Sequence, residues 1–350
     1  MEPARTRQRS GSPVSHDHGA VDRAAVVTAG DAPAVPDNDL QAAITLGRAL
    51  EHNLGHVLLG TSGALRAAVL AALVGGHLLI EDVPGVGKTV LARALAISLG
   101  AELSRVQGHP DLLPSDVTGV SIFSPDTNAW DFRPGPVFAH VVLVDELNRT
   151  PPRTQSALLE TMEERQVTVD GISWPLPSPH LVIATQNPLS QRGTFPLVES
   201  QLDRFAFATP IGYPDEAHEI ELVLHSGGKY ALADLQPVCD PDEWWRAQYA
   251  IELVTVSPAI AEYAVALCRA SRVAPGVYLG ASPRAAIWLI RAAQAWAVLS
   301  SRGYVVPDDV KAVAVTCLAH RILIDGGDDN VGVGAHLVRE LLETTPTPRL

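Results

Sequence analysis

The chain begins without a repeating apolar pattern. Residues 1–36 are rich in Pro, Gly, Ser, Arg and Asp, and no helical or alternating period runs through them, which predicts a disordered tail. A helical pattern starts near Leu40 and a second covers 64–74. From there one theme recurs: a short, nearly unbroken apolar run, then a loop, then a helical pattern. The runs lie at 77–81, 103–107, 141–144, 181–185 and 205–210. Each is too short for a usual helix and too uniformly apolar for a strand with one wet face, so they read as strands buried on both faces of a parallel sheet. The intervening helical patterns cover that sheet on both sides. Beyond about Pro214 the strand signals stop. Helical segments follow at 215–225, 258–272, 283–299 and 307–321; three open with proline in the first turn, two of them behind a capping serine, Ser257 and Ser282. The expected fold is an α/β domain, a parallel sheet sandwiched by helices, followed by a small all-helical domain. The boundaries expected are a tail at 1–36, the α/β core at 37–212, a linker and connecting helix at 213–256 and the helical domain at 257–350.

Composition narrows the setting. Of 350 residues, 47% are hydrophobic and 19% charged, as in a soluble globular chain with room for one large or two modest domains. The longest uncharged apolar run, 67–80, carries two glycines and a histidine and is too short to span a bilayer, so no membrane span is expected. Arg5, Arg7 and Arg9 open the chain, but no apolar segment follows them as a secretory signal requires. Cys239, Cys268 and Cys317 form no Cys-x-x-Cys pair and read as reduced thiols, which points to the cytoplasm. His16 and His18 in the tail are not read as a metal site. The net charge of −13 disfavours a grip on phosphate backbones, so no nucleic-acid partner is expected.

The candidate chemistry starts at Glu81-Asp82-Val83-Pro84-Gly85-Val86-Gly87-Lys88-Thr89, between the first strand and a helix at 89–99 whose Leu91, Leu95 and Leu99 share a face. Strand, glycine loop and helix in that order are the context of a Walker A phosphate loop. Glycines let main-chain N–H groups converge on phosphate oxygens, and the helix N-terminus adds its positive end. Val83 through Thr89 are therefore the expected cradle for ATP, with Lys88 on the β- and γ-phosphates and the Thr89 hydroxyl on Mg²⁺. Asp82 stands where the general motif has its first glycine. The run at 141–144 delivers Asp145 and Glu146 at its C-terminal end, where open α/β sheets place their ligands. Asp145 is expected to hold Mg²⁺ through water and Glu146 to act as base or orienter for the attacking water, although an acidic pair after an apolar run can also be a solvated turn. The run at 181–185 leads into Gln186-Asn187-Pro188, where Asn187 either senses the γ-phosphate or simply begins a turn. Arg204 and Arg284, in Leu-Asp-Arg-Phe and Ser-Pro-Arg, could stabilise charge on a phosphate, yet arginines of this kind are more often surface ion-pair partners.

These segments, EDVPGVGKT at 81–89, DLLPSDVTG at 111–119, FRPGPVF at 132–138, VDELNRTPPRTQSALLETMEE at 144–164, ATQNP at 184–188, GTFPLVESQLDRF at 193–205 and GASPRA at 280–285, resemble the MoxR family of AAA+ ATPases over about residues 40–325. The resemblance implies a P-loop NTPase core of AAA+ type with a helical lid. It makes Asp145 and Glu146 the Walker B pair, Asn187 sensor 1, Arg204 the finger offered to a neighbouring subunit and Arg284 sensor 2 on the lid. Gln107 would restrain Glu146. An insertion at 112–132 and a hairpin at 166–176 would face a central pore. Thr61 stands where the family usually has Gln. The implied function is Mg²⁺-dependent ATP hydrolysis by a homo-oligomer, a hexameric ring, with the nucleotide in a crevice between sheet domain and lid. The work would be chaperone-like remodelling or maturation of partner proteins, often ones with a von Willebrand factor A (VWA) domain. The alternative is the motor subunit of a metal-chelatase-like complex.

Overall fold

Five short runs assemble into one sheet: β1 Leu78–Glu81, β2 Leu103–Gln107, β3 Val141–Asp145, β4 Leu181–Gln186 and β5 Phe207–Thr209; β2, at the edge, carries Ser104, Arg105 and Gln107 and buries only Val106, so it is not the strand buried on both faces that its pattern suggested. They are read from a computed structural model that describes residues 35–187, 193–224, 229–324 and 330–349. The expected tail at 1–36 lies outside the described residues except for Val35 and Pro36. The strand order is β2-β3-β4-β1-β5 and every pairing is parallel, as the sequence pattern predicts. Register sets the site. Gln107 lies opposite Asp145 and Glu81 opposite Gln186, so the polar residues ending four strands share one edge of the sheet. β3 is buried along its whole length, and β4 up to Thr185.

Helices Lys88–Ser98 and Pro152–Glu164 are amphipathic, the first burying Leu91 and Leu95, the second Leu158, Leu159 and Met162. Two antiparallel hairpins stand where the family resemblance implies an insertion and a hairpin: Gly119–Ser124 with Ala129–Pro134, and Gln166–Val169 with Ile172–Pro175. The second turns through Asp170 and Gly171, both at positive φ, as a two-residue hairpin turn requires.

Helices Pro241–Glu252, Pro258–Val273, Pro283–Leu299, Pro307–Leu318 and Asn330–Thr344 make up most of the C-terminal part. Ser257 and Ser282 cap as expected, accepting from the N–H groups of Ile260 and Ala285. One feature departs from an all-helical lid, a small antiparallel ladder of Val277–Leu279 with Leu323–Ile324. Strands of two or three residues are too short for an alternation to register in sequence. The lid docks against the N-terminal ends of β1 and β5. His320 Nε2 donates to Phe205 O at 3.0 Å, and Gly76, whose added Cβ would lie 2.5 Å from Ala206 Cβ and 3.2 Å from Trp288, lets the helix Pro283–Leu299 approach there. That end of the sheet is opposite the one where the glycine loop leaves β1.

Candidate functional site

The glycine loop is built by backbone conformation. Gly85 and Gly87 have φ of +90° and +101°, a region that side chains strain to enter, and Gly87 is the N-cap of the helix Lys88–Ser98. Asp82 explains its own departure from the motif. One carboxylate oxygen accepts from the Val83 N–H at 2.7 Å; the other accepts from Ile211 and Gly212 at 2.8 and 2.7 Å. A glycine there could not tie the loop to the chain leaving β5. Lys88 Nζ donates to the carbonyls of Asp82 and, at 3.3 Å, Gln186. Burial lowers the Lys88 pKa below the ordinary lysine value, against the opposing pull of Asp82, Asp145, Glu146 and Glu81.

A pocket of about 330 Å³ opens at this edge of the sheet. The loop and helix contribute Pro84, Gly85, Gly87, Lys88, Thr89 and Val90; β2 contributes Arg105 and Gln107; β3 and the turn after it Asp145 and Glu146; β4 and its exit Thr185 and Asn187. Nine sequence-predicted residues are thereby brought together: Pro84, Gly85, Gly87, Lys88, Thr89, Gln107, Asp145, Glu146 and Asn187. Val83 and Val86 lie in the same loop without lining the pocket. Arg204 and Arg284 lie elsewhere.

The two carboxylates are held differently. Asp145 is buried, with Oδ2 2.7 Å from Arg105 Nε and Oδ1 3.4 Å from the Thr185 hydroxyl. Glu146 sits at φ +57°, uncommon for a residue with a side chain, and its N–H donates to Thr185 Oγ1 at 3.0 Å. Glu146 Oε2 accepts from Gln107 Nε2 at 3.2 Å and lies 3.5 Å from Arg149 Nε. Gln107 in turn accepts from Arg105 Nη2 at 2.9 Å. A continuous chain thus runs from Glu146 through Gln107 and Arg105 to Asp145, with Gln107 where the resemblance puts a restraint on Glu146. Arg105 was missed in sequence; its one signal is a cation inside an otherwise strand-like run. Gly108 was missed too: an added Cβ would stand 2.2 Å from Glu146 O, so only glycine lets β2 meet this turn. Asn148 Nδ2 donates to Asn187 O at 3.3 Å and steadies the exit of β4.

The donor set fits a triphosphate with its magnesium. Among the described residues beyond its chain neighbours, none has a heavy atom within 4 Å of where a Cβ on Gly85 would be, so the loop forms an open cradle. The Thr89 hydroxyl and the Asp145 carboxylate are hard oxygen donors, and Mg²⁺ usually takes only one or two carboxylates beside phosphates and water.

The two arginines stand apart from this pocket. Arg204 Nε lies 3.2 Å from Glu163 Oε2, and Arg284 Nη2 pairs with the other oxygen of the same carboxylate. Both are ion-pair partners at the end of the helix Pro152–Glu164, and among the described residues none from the lid lines the phosphate pocket. The expected crevice between sheet domain and lid therefore does not form within one chain. Asp203 is the reason. Both its carboxylate oxygens take the Ser282 hydroxyl at 2.9 Å, and Oδ1 takes Arg321 Nε at 2.9 Å. Buried Arg321 also donates to the carbonyls of Asp203, Phe205 and Ala206. A buried guanidinium needs such partners, and they fasten the lid to the far end of the sheet.

The chain's relatives bear on this geometry. The profile of the "ATPase family associated with various cellular activities (AAA)" matches residues 77–207, and that of the "AAA lid domain" matches 269–334. The chain is 44% identical to the uncharacterized protein YeaC of Bacillus subtilis, over 87% of this chain and 95% of that one. It is 35% identical to Chaperone MoxR1 of Mycobacterium tuberculosis over 87% and 83%, and 30% identical to Protein MoxR of Methylorubrum extorquens over 85% and 94%. A crystal structure presented as that of a candidate ATPase from Cytophaga hutchinsonii superposes with a TM-score of 0.82 at 33% identity, covering 89% of this chain and 98% of that one. With a phosphate loop and an acidic strand tip facing one pocket, and with relatives of this closeness along nearly their whole length, the chain belongs to the MoxR family of AAA+ ATPases.

Proposed function

We propose that the protein hydrolyses ATP to ADP and phosphate with Mg²⁺ and uses the reaction to remodel or mature partner proteins. The observation that carries this reading is the convergence of Lys88, Thr89, Asp145, Glu146 and Asn187 on a single pocket. Main-chain N–H groups of 85–89 and Lys88 bind and orient the phosphates. Thr89 and Asp145 would hold Mg²⁺, which would neutralise phosphate charge. Glu146 takes the proton of, or orients, the attacking water, and Gln107 keeps Glu146 turned aside until that water is in place. Asn187 orients the γ-phosphate.

Arg204 and Arg284 sit together outside this pocket, which supports their acting on the nucleotide of an adjacent subunit. A single copy then lacks a complete site, and the working form is a homo-oligomeric ring, taken as hexameric. Both arginines would leave Glu163 for that phosphate. The two hairpins, with Ile122, Phe123 and Trp130 exposed on the first and Ile172 on the second, supply apolar grip on a client in the pore. Chaperone MoxR1 carries its role in its name, and we extend that role to this chain, with VWA-domain proteins as the partner class and the cytoplasm as the place of work.

The test is phosphate release from purified protein with ATP, with and without Mg²⁺, beside Lys88→Ala and Glu146→Gln. Loss of nucleotide binding in the first variant, and retained binding with slow turnover in the second, is expected. Turnover that persists in both variants sinks the reading. Capture by the ATP-loaded Glu146→Gln protein would then identify the client.

A further inference from the structure

The lid carries an apolar groove open to solvent. It runs between the helices Pro258–Val273 and Pro283–Leu299 and encloses about 570 Å³. Ala264 and Cys268 form its buried floor, and Val265, Ile287 and Ile290 line it above; Ile287 is 60% exposed. Arg269, Arg272 and Arg291 also line it; Arg291 is paired with Glu252 at 3.2 Å, and among the described residues no carboxylate lines the groove. On a chain of net charge −13, an apolar groove set with three guanidinium groups selects an acidic, apolar helix.

The same chain presents such a helix. Glu216–Leu224 buries none of its residues. Ile220, Val223 and Leu224, spaced three and four apart, form one exposed apolar stripe, and Val223 is 82% exposed. Asp215, Glu216, Glu219 and Glu221 surround it. Helix and groove are both solvent-facing in one chain, so they do not satisfy each other within it.

We propose that the lid groove of one subunit takes the helix Glu216–Leu224 of the next, the second copy bringing the acids to the groove's arginines. The proposal rests on the ring reading and deepens it, because each surface adjoins half of the divided site. Pro283 lines the groove and Arg284 follows it. At the other surface, Pro214 and His218 pack against Gly60, 3.4 and 3.2 Å from where a Cβ would be, and Leu58 lies 3.6 Å from the corresponding point on Gly87 of the phosphate loop. Seating the helix in the groove therefore carries Arg284 of one subunit toward the phosphate loop of its neighbour. Groove and helix are different surfaces, so the contact is head to tail and repeats around a ring.

The experiment is sedimentation velocity of the full chain with ATP, in the Glu146→Gln background so that nucleotide persists. Val223→Asp and Ile287→Asp alter exposed residues away from the pocket. Each should weaken assembly by about tenfold or more while leaving thermal unfolding of the monomer unchanged. Arg269→Glu should weaken it as well, and mixing with Glu219→Arg subunits should restore assembly. Copies carrying Val223→Cys should cross-link through a short bis-maleimide to copies carrying Ile287→Cys, in the mixture and not in either alone. Rings that survive both aspartate variants, or that fall apart with only one of them, overturn this pairing and leave the ring reading standing. A parent protein that stays monomeric with ATP at every concentration overturns both. Groove variants that keep their rings but lose a bound partner protein assign the groove to that partner, and the proposal fails.

Discussion

Among the described residues lining the pocket, Glu146 is the non-glycine residue held at positive φ. A non-glycine residue at φ +57° costs about 1–3 kcal/mol, and here the Thr185 hydroxyl and Gln107 hold it there. That conformation turns the chain sharply after Asp145, so consecutive carboxylates serve different ends: Asp145 faces Arg105 and Glu146 faces Gln107. Replacing Glu146 by Gln preserves shape and hydrogen bonding while removing the base. Nucleotide affinity should change little and hydrolysis should fall by about 10²–10⁴-fold, measured by fluorescent-nucleotide titration and phosphate release. Gly108 is the companion constraint. Gly108→Ala would drive a Cβ into the Glu146 carbonyl, a backbone atom that cannot swing away, so both turnover and melting temperature should drop. Melting that is unchanged would show that the turn after β3 yields more easily than its contacts indicate.

Among elements, the lid's attachment is decided by a handful of polar groups. Arg321 is buried and answered by Asp203, whose carboxylate also takes Ser282 at the start of the helix Pro283–Leu299. Asp203→Ala leaves a buried guanidinium without its counter-charge and should cost about 3–5 kcal/mol in denaturant unfolding. Ser282→Ala removes one cap and should cost about 1 kcal/mol. A large gap between the two variants is therefore the expected signature. Asp203 precedes Arg204, and Ser282 lies two residues before Arg284, so the clasp that fastens the lid also sets the two arginines on Glu163.

At the scale of the whole molecule, the buried histidines His77, His180 and His320 make stability depend on pH. Burial holds His77 down to about 3 and His180 to about 4, and puts His320 well below the ordinary value. His77 joins β4 to the helix Pro152–Glu164: Nδ1 accepts from Val182 N–H at 3.0 Å and Nε2 donates to Met162 O at 3.1 Å. Folded, these rings stay neutral; unfolded, they take a proton near the ordinary value of 6.5. Below that pH the unfolded state binds more protons, so stability falls as pH drops from about 6.5 toward 4. Thermal melting should be markedly lower at about pH 5 than at about pH 7.5, and His77→Gln should flatten part of that difference. Assembly is tested at the same scale. Arg204→Ala and Lys88→Ala subunits, each inactive alone, should recover some ATPase activity when mixed, because a shared interface can pair an intact phosphate loop with an intact arginine. No recovery at any ratio would count against sharing.

Much of this was legible from the chain alone. Four of the five strands are nearly continuous apolar runs bounded by turn signals, and Gly85 to Thr89 with Asp145 and Glu146 carry their chemistry in residue type and spacing, so local pattern suffices for most of the sheet, the loop and the acidic strand tip. Arg105, Gly108 and the Asp82 anchor were different, since their roles depend on which strand lies beside which, and register is a property of the assembled sheet. The position of the lid was least legible. The resemblance implies a lid beside the nucleotide, and local pattern could not show that the lid instead stands at the far end of the sheet, because that position rests on a buried pairing between residues 118 apart, Asp203 and Arg321. Local preferences determine which elements exist and which residues can do chemistry; long-range burial of charge decides where those elements stand, and so which arginine faces which phosphate.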